Sequence, residues 1–339
     1  MLSRGFLSER LVRFATAFVT FALALCVPAN AQPPQTHQFM PEKYYTTYSF
    51  AHPPALRIKP GDRVVTKTID AAGADWTGKQ VSTGGNPETG PFYVAGAEPD
   101  DMLVVTFHRI ETNRSTGWAS SLLAPYTIDP AFIAARVDRE PKRLTWTIDK
   151  AKGIAFVDLP DLTPSHLEVT LSPMLGCVGV APARKEAFTA TTPGAWGGNM
   201  DYVGVKPGAK VMLPVYEPGA LLFIGDGHAR MGEGEIAGTG IETSMDVEFS
   251  VDLVKKKPIG WPRLESDTHV MVLGSARPLL EAFQHATTEM QKWLMADYGF
   301  SERAASTFMG QTMEYEIANV VDPSFTVVAK MRKSLLPRR

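Results

Sequence analysis

Cysteine is almost missing from this 339-residue chain, which carries only Cys26 and Cys177. No network of disulfides can staple such a fold, so its stability must come from a buried core. Charge of one sign is missing as well. Thirty-four Lys plus Arg stand against 36 Asp plus Glu, a formal net charge of −2, and the largest basic block is Lys255-Lys256-Lys257. That balance gives no footprint for nucleic acid, and none is expected as a partner. No apolar run approaches the roughly 20 residues a spanning helix needs. The chain also lacks a P-loop, a dinucleotide-binding glycine fingerprint, a Gly-x-Ser-x-Gly elbow and any internal repeat. Phosphate and nicotinamide chemistry are therefore not indicated.

What is present begins with a leader. Arg4, Arg10 and Arg13 precede an apolar run from Phe14 to Val27, and Ala29-Asn30-Ala31 supplies the small residues of a cleavage site. Residues 1–31 read as a secretory signal peptide, which implies export to the periplasm or medium and no stable membrane insertion afterwards. Cys26 suggests a lipoprotein signal as a minor alternative, but the bulky Leu25 before it argues against that. Removing the leader takes away three basic residues and one acid, Glu9, and moves the formal charge from −2 to −4. Cys177 is then the only cysteine. Residues 32–43, rich in Pro and Gln, read as a flexible amino-terminal segment.

From residue 44 onward the pattern is of short strands punctuated by turns. Candidate strands fall at 44–50, 55–58, 64–69, 92–95, 102–110, 144–148, 154–157, 167–171, 242–254 and 270–273, with a long polar loop over 71–90. Helical periodicity appears only late. Leu279, Leu280, Phe283, Ala286, Met290, Trp293 and Leu294 recur at spacings of three and four, with Ser275 as a candidate cap and Gly299 as the stop. A second helix is expected over 301–309, capped by Ser301 and stopped by Gly310. The fold class this implies is mainly β: a jelly-roll-like β-sandwich or open barrel over 44–274, with a small α+β part over 275–339 packed on it.

The chain is organised around residues 194–242, where two glycine-rich segments with carboxylates flank an apolar run. Gly197-Gly198-Asn199-Met200-Asp201 precedes the run, and Gly225-Asp226-Gly227-His228 and Gly232-Glu233-Gly234-Glu235 follow it. The run itself, 210–224, reads as two short strands turned at Glu217-Pro218-Gly219, which would bring the two segments together as loops. Carboxylates and imidazole on backbone loosened by glycine suit a divalent metal.

Several stretches, in this order and spacing, resemble the acetamidase/formamidase family. They are Thr68-Ile69-Asp70-Ala71, Thr89-Gly90-Pro91-Phe92-Tyr93-Val94 with Gly96-Ala97-Glu98-Pro99, Gly176 to Pro182, Gly197 to Asp201, Leu213-Pro214-Val215 with Pro218-Gly219-Ala220-Leu221, Gly225 to Ala229, Gly240-Ile241-Glu242, and Val321-Asp322-Pro323. The likeness covers roughly 45–337. It implies hydrolysis of a short-chain amide to a carboxylic acid and ammonia, a largely β fold with jelly-roll-like parts, a bound divalent metal and a homo-oligomer. The chain departs from the family pattern in having Met231 and Glu233 after the His-Ala pair, and Asn86-Pro87-Glu88 where many relatives place a His.

An amide is a poor electrophile with a poor leaving group, so the site must polarise the carbonyl, supply a nucleophile and protonate nitrogen. A metal held by carboxylates and His suits the first two tasks, and a free carboxylate the third. The expected ligands are His228 and Asp201, with Asp70 reaching in from a strand end and Glu242 or Glu235 completing the shell. Zinc is the first choice of metal, with calcium, magnesium or manganese also compatible. Glu235 is the preferred proton shuttle. Asp226 is a further catalytic candidate, with an Asx turn as its ordinary alternative. Asn199 and the backbone amides of the glycine segments, at Gly198 and Gly227, are candidates for holding substrate and oxyanion. Cys177 lies among apolar neighbours with nothing to lower its pKa and reads as a small hydrophobe. The competing class is a non-enzymatic exported module that binds a carbohydrate or other ligand, with scattered tryptophans as stacking platforms and a structural metal.

Overall fold

The protein is described by a computed structural model over residues 33–137 and 140–337; the leader read over 1–31 lies outside these described residues. Two sheets share one core. The larger has nine strands, in the order Thr36–Gln38, Arg63–Lys67, Met245–Val254, Met102–Thr112, Lys210–Pro214, Arg263–Glu265, His269–Ala276, Phe325–Arg332 and Glu314–Asn319. The smaller runs Gly197–Asn199, Met174–Gly179, Leu222–His228, Glu88–Val94 and Tyr44–Tyr45, with Leu56–Ile58 also pairing with Glu88–Val94. A four-stranded sheet built from Thr116–Ser120, Arg143–Asp149, Ile154–Asp158 and His166–Thr170 stands beside them.

Alternation explains the stacking. In Met245–Val254 the residues Met245, Val247, Phe249 and Val251 are fully buried while those between them are partly exposed, so one face closes the core and the other meets solvent. Phe249 meets Phe92 of the opposite sheet edge to face, with ring centroids 5.2 Å apart. Strand His269–Ala276 is apolar on both faces for a different reason. Met271 and Leu273 enter the shared core, and Val270 and Val272 pack against the helix Leu279–Tyr298 through Ala286, Met290, Trp293 and Leu294. The mainly β architecture expected from sequence is thus observed, and the carboxy-terminal strands belong to the large sheet itself.

Five local expectations change. The segment 32–43 is not wholly loose: Thr36–Gln38 adds a parallel edge strand to Arg63–Lys67, fixed by Asp62, which accepts the Gln35 amide and contacts His37 Nε2, both at 2.9 Å. Residues 210–224 do not form a hairpin, because Lys210–Pro214 and Leu222–His228 belong to different sheets and the turn at Glu217-Pro218-Gly219 carries the chain across the core. Ser275 does not cap the long helix; it is a strand residue whose hydroxyl lies 3.0 Å from that of Thr326. The buried face of that helix is also rotated from the apolar count, with Leu280 at 65% and Phe283 at 37% exposure while Ala282 and Glu289 are buried. Glu289 is buried because it accepts both Nε and Nη2 of Arg263, at 2.9 and 2.6 Å. The second helix, Glu302–Thr312, is capped by Ser301 as expected but runs through Gly310.

Phe249→Ala is expected to destabilise the fold by about 3–5 kcal/mol, through lost burial and the cavity left between the sheets. Denaturant unfolding checks this. A loss under about 1 kcal/mol would mean the sheets do not depend on that contact.

Candidate active site

The two glycine-rich segments are strands. Gly197–Asn199 and Leu222–His228 flank Met174–Gly179 in antiparallel register, with Cys177 opposite both Asn199 and Gly225, and Met174 opposite His228. Asp226 and His228, two apart in one strand, therefore project to the same face. The central strand makes room for them at Gly176, where an added Cβ would lie 2.2 Å from Asp201 Oδ1 and 2.5 Å from Asp226 Oδ2. Asn86, Asp201, Asp226 and Glu235 adopt positive φ of 53°, 45°, 53° and 46°. Such backbone costs on the order of 1–3 kcal/mol per residue and clusters where function demands it.

The result is a buried acidic nest. His228, wholly inaccessible to solvent, has Nε2 at 3.0 Å from Glu242 Oε1, 3.4 Å from Asp226 Oδ1 and 4.0 Å from Glu235 Oε1. Three sets have ligand atoms mutually within 4.8 Å: Asp201, Asp226 and His228; His228, Glu235 and Glu242; and Asp201, Glu235 and Asp322. Both oxygens of Asp201, Oδ1 of Asp226, Oε2 of Glu242 and both nitrogens of His228 are buried without a hydrogen-bond partner. Buried polar atoms are ordinarily satisfied, and a concentration of such donor atoms in one place is a set that could hold a metal ion. The remaining contacts orient the group: Asn86 Nδ2 donates to Asn199 Oδ1 and Asp226 Oδ2 at 3.0 and 3.1 Å, Asn199 Nδ2 donates to Asp322 Oδ2 at 2.7 Å, and the Gly240 amide donates to Glu242 Oε1 at 2.9 Å. The nest opens into a cavity of about 480 Å³ walled by the loop 71–86 on one side and by Trp118 and Arg143 on the other.

A sequence model of the acetamidase/formamidase family matches residues 162–332. The acetamidase of Yersinia enterocolitica is 31% identical and superposes with a TM-score of 0.77 over 92% of this chain and 96% of that one. The chain belongs to the acetamidase/formamidase family. It is also 25% identical to a putative formamidase of Schizosaccharomyces pombe over 56% of this chain and 60% of that protein, and 24% identical to the formamidase of Methylophilus methylotrophus over 60% and 62%. It thus spans about three fifths of the length of these two curated relatives.

Within this family member, Asp201, Asp226, His228, Glu235 and Glu242 come together as the sequence suggested. Asp70 does not join them. Its Oδ1 accepts the amides of Ala72 and Ala74 at 3.1 and 2.8 Å and its Oδ2 accepts Arg114 Nη2 at 2.7 Å, so it organises the long loop and belongs to none of the three clusters. Gly198 and Gly227 are not in the cavity wall; both are strand residues needed for close packing, since an added Cβ would come within 2.5 Å of Thr192 O and 2.4 Å of Met245 Cγ. Asn199 lines the cavity, but its amide nitrogen is engaged by Asp322 rather than free for an oxyanion. Asp322 and Asn86 received no role from sequence. The first lies far downstream in the quoted Val321-Asp322-Pro323, and the second appeared only as a departure from the family pattern.

Burial raises the pKa of Asp201, Glu235 and Asp322 well above the carboxylate range, and the neighbouring carboxylates push the same way. Glu242, raised chiefly by burial and partly restrained by His228, sits at about 7. Burial lowers His228, but Glu242 and Asp226 outweigh it and leave the imidazole pKa raised. Cys177 is pushed up by burial and then by Glu88, Asp226 and Asp201, while its thiol donates to Asn199 Oδ1 at 2.8 Å; it is no poised nucleophile.

A carboxyl that ionises later in the folded than in the unfolded chain makes the unfolded state lose its protons first as pH rises. For Glu242 that window runs from its ordinary 4.5 to about 7. Protein in chelator is therefore expected to lose thermal stability as pH is raised from 4.5 to 7. Stability that instead climbs with pH across that window in chelator would contradict the reading.

Proposed function

We propose that this protein hydrolyses a small linear amide to a carboxylic acid and ammonia, with a divalent ion, zinc first, held by Asp201, Asp226 and His228 and flanked by Glu242. The observation that carries this is the set of unpartnered, fully buried ligand atoms on those four residues. Mixed carboxylate and imidazole donors fit such an ion, and among the described residues no Lys or Arg pairs with these acids. When bound, the ion would supply Lewis-acid polarisation of the amide carbonyl and a more acidic water.

The chain's own groups then account for the proton. Hydrolysis places hydroxyl on the carbonyl carbon and releases nitrogen, which must gain a proton to leave as ammonia. Glu235 lines the cavity, and burial together with Asp201 favours the protonated form of its carboxyl, so it can donate to that nitrogen and recover a proton from water. Asp322 stands beside it, fixed by Asn199. Asn86 holds Asp226 from the other side and thereby fixes which oxygen of Asp226 faces His228.

Ammonia release from formamide, acetamide and longer amides, with and without chelator, tests this. The expected result is turnover abolished by chelator and restored by zinc or another divalent ion. Glu235→Gln should lower kcat by about 10²–10⁴-fold with the fold intact. Full turnover in that variant would remove Glu235 from the proton path, and no turnover of any amide would remove the hydrolase reading.

A further inference from the structure

We propose, resting on the amide-hydrolase reading, that Arg143 selects amides carrying a carboxylate at the end remote from the scissile bond, so that the substrate class is the monoamide of a short dicarboxylic acid. The cavity that opens from the acidic nest is lined by Asp226, Glu235, Glu242 and Asp322, yet Arg143 is the one Lys or Arg among its lining residues. Among the described residues Arg143 has no carboxylate partner. A cation in an acidic cavity that ion-pairs with none of the acids has its charge available to something else.

Its posture suits an anion. The guanidinium carbon lies 3.8 Å from the centroid of the Trp118 ring, a cation–π contact, and among the described residues no carboxylate occupies the group's N–H edge. That edge matches a carboxylate with two parallel hydrogen bonds, which an ammonium cannot do. The platform is fixed to the reaction centre. Ser120 and Arg143 are opposite each other in register, as are Trp118 and Thr145. The Trp118 amide donates to Glu242 O at 3.0 Å and the Glu242 amide to Trp118 O at 2.8 Å. Two strand spacings, roughly 10 Å, separate the Glu242 backbone from that of Thr145, and Arg143 lies two residues farther along that strand, so roughly 12 Å separates its backbone from that of Glu242 across the cavity both residues line. A spacer of a few carbons between amide and carboxylate fits that span. An amide of one or two carbons leaves most of the 480 Å³ unfilled.

The test compares succinamate with butyramide, which differ in the terminal carboxylate. Wild-type protein is expected to prefer succinamate at least tenfold in kcat/KM. In Arg143→Gln the ratio of the two kcat/KM values should fall about 10- to 100-fold, the loss lying in KM for succinamate; Arg143→Lys should recover only part of it. Wild-type preference for butyramide, or an equal ratio in wild type and Arg143→Gln, would overturn the inference while leaving amide hydrolysis standing. Turnover of formamide or acetamide but of neither of these two amides would also overturn it; should no amide at all be hydrolysed, the hydrolase reading falls and calorimetric titration of succinamate decides the anion site alone. Binding weakened by Arg143→Gln supports it, and binding that is absent or unchanged in the variant overturns it.

Discussion

Five carboxylates and one imidazole occupy a few ångströms of buried protein, and among the described residues no lysine or arginine ion-pairs with Asp201, Asp226, Glu235, Glu242 or Asp322. Like charges that close in a medium of low dielectric repel strongly, so such a group persists only with protons or a cation among its members. The rest of the structure is arranged to hold that unfavourable cluster. Glycines at positions 176 and 240 remove side chains that would strike Asp201, Asp226 and His228, and four residues around the cavity keep positive φ. The two-sheet core, closed by Phe92, Phe107, Phe249 and their neighbours, supplies the rigidity against which that strain is held.

The membership of the cluster was largely readable from sequence, while its geometry was not. Asp201, Asp226, His228, Glu235 and Glu242 stood out because acids and an imidazole amid glycines match what a metal or a proton transfer asks of a chain. The same glycines misled on local structure. Gly225-Asp226-Gly227-His228 has the composition of a loop, since Gly and Asp are poor strand formers. Yet it lies within a sheet because Met174–Gly179 pairs with it on one side, and on the other His228 bridges Glu242 while the Thr243 amide donates to Gly227 O. Tertiary pairing of that kind leaves no local trace.

Asp70 failed for the complementary reason. A short acid at the end of a strand has two uses, as ligand or as cap, and only the position of Arg114 decides for the cap. Asp322 could not be placed because 80 residues separate it from Glu242, and the strand that delivers it extends the large sheet at its far edge. On the long helix, counting apolar residues selected Leu280 and Phe283, whereas the buried face includes Glu289, made tolerable by the guanidinium of Arg263. Sequence patterns register hydrophobicity; they do not register a charge whose partner lies 26 residues away.

The walls of the cavity come from parts of the chain with no resemblance in pattern. The loop 71–86 is held by the Asx and ion-pair contacts of Asp70, and the four-stranded sheet is tied to the nest by the backbone pairing of Trp118 with Glu242. The site therefore belongs to the whole fold, and the scattered tryptophans serve it or the packing: Trp118 stacks on Arg143, Trp196 on Phe188, and Trp293 is a core residue.

The most direct test is anomalous diffraction at the zinc absorption edge from crystals of the metal-loaded protein. The account predicts a peak within coordination distance of His228 Nε2 and of carboxylate oxygens from Asp201 and Asp226, with Asp70 outside the shell. A map with no peak in the nest, showing instead water or paired protons between those carboxylates, would contradict it.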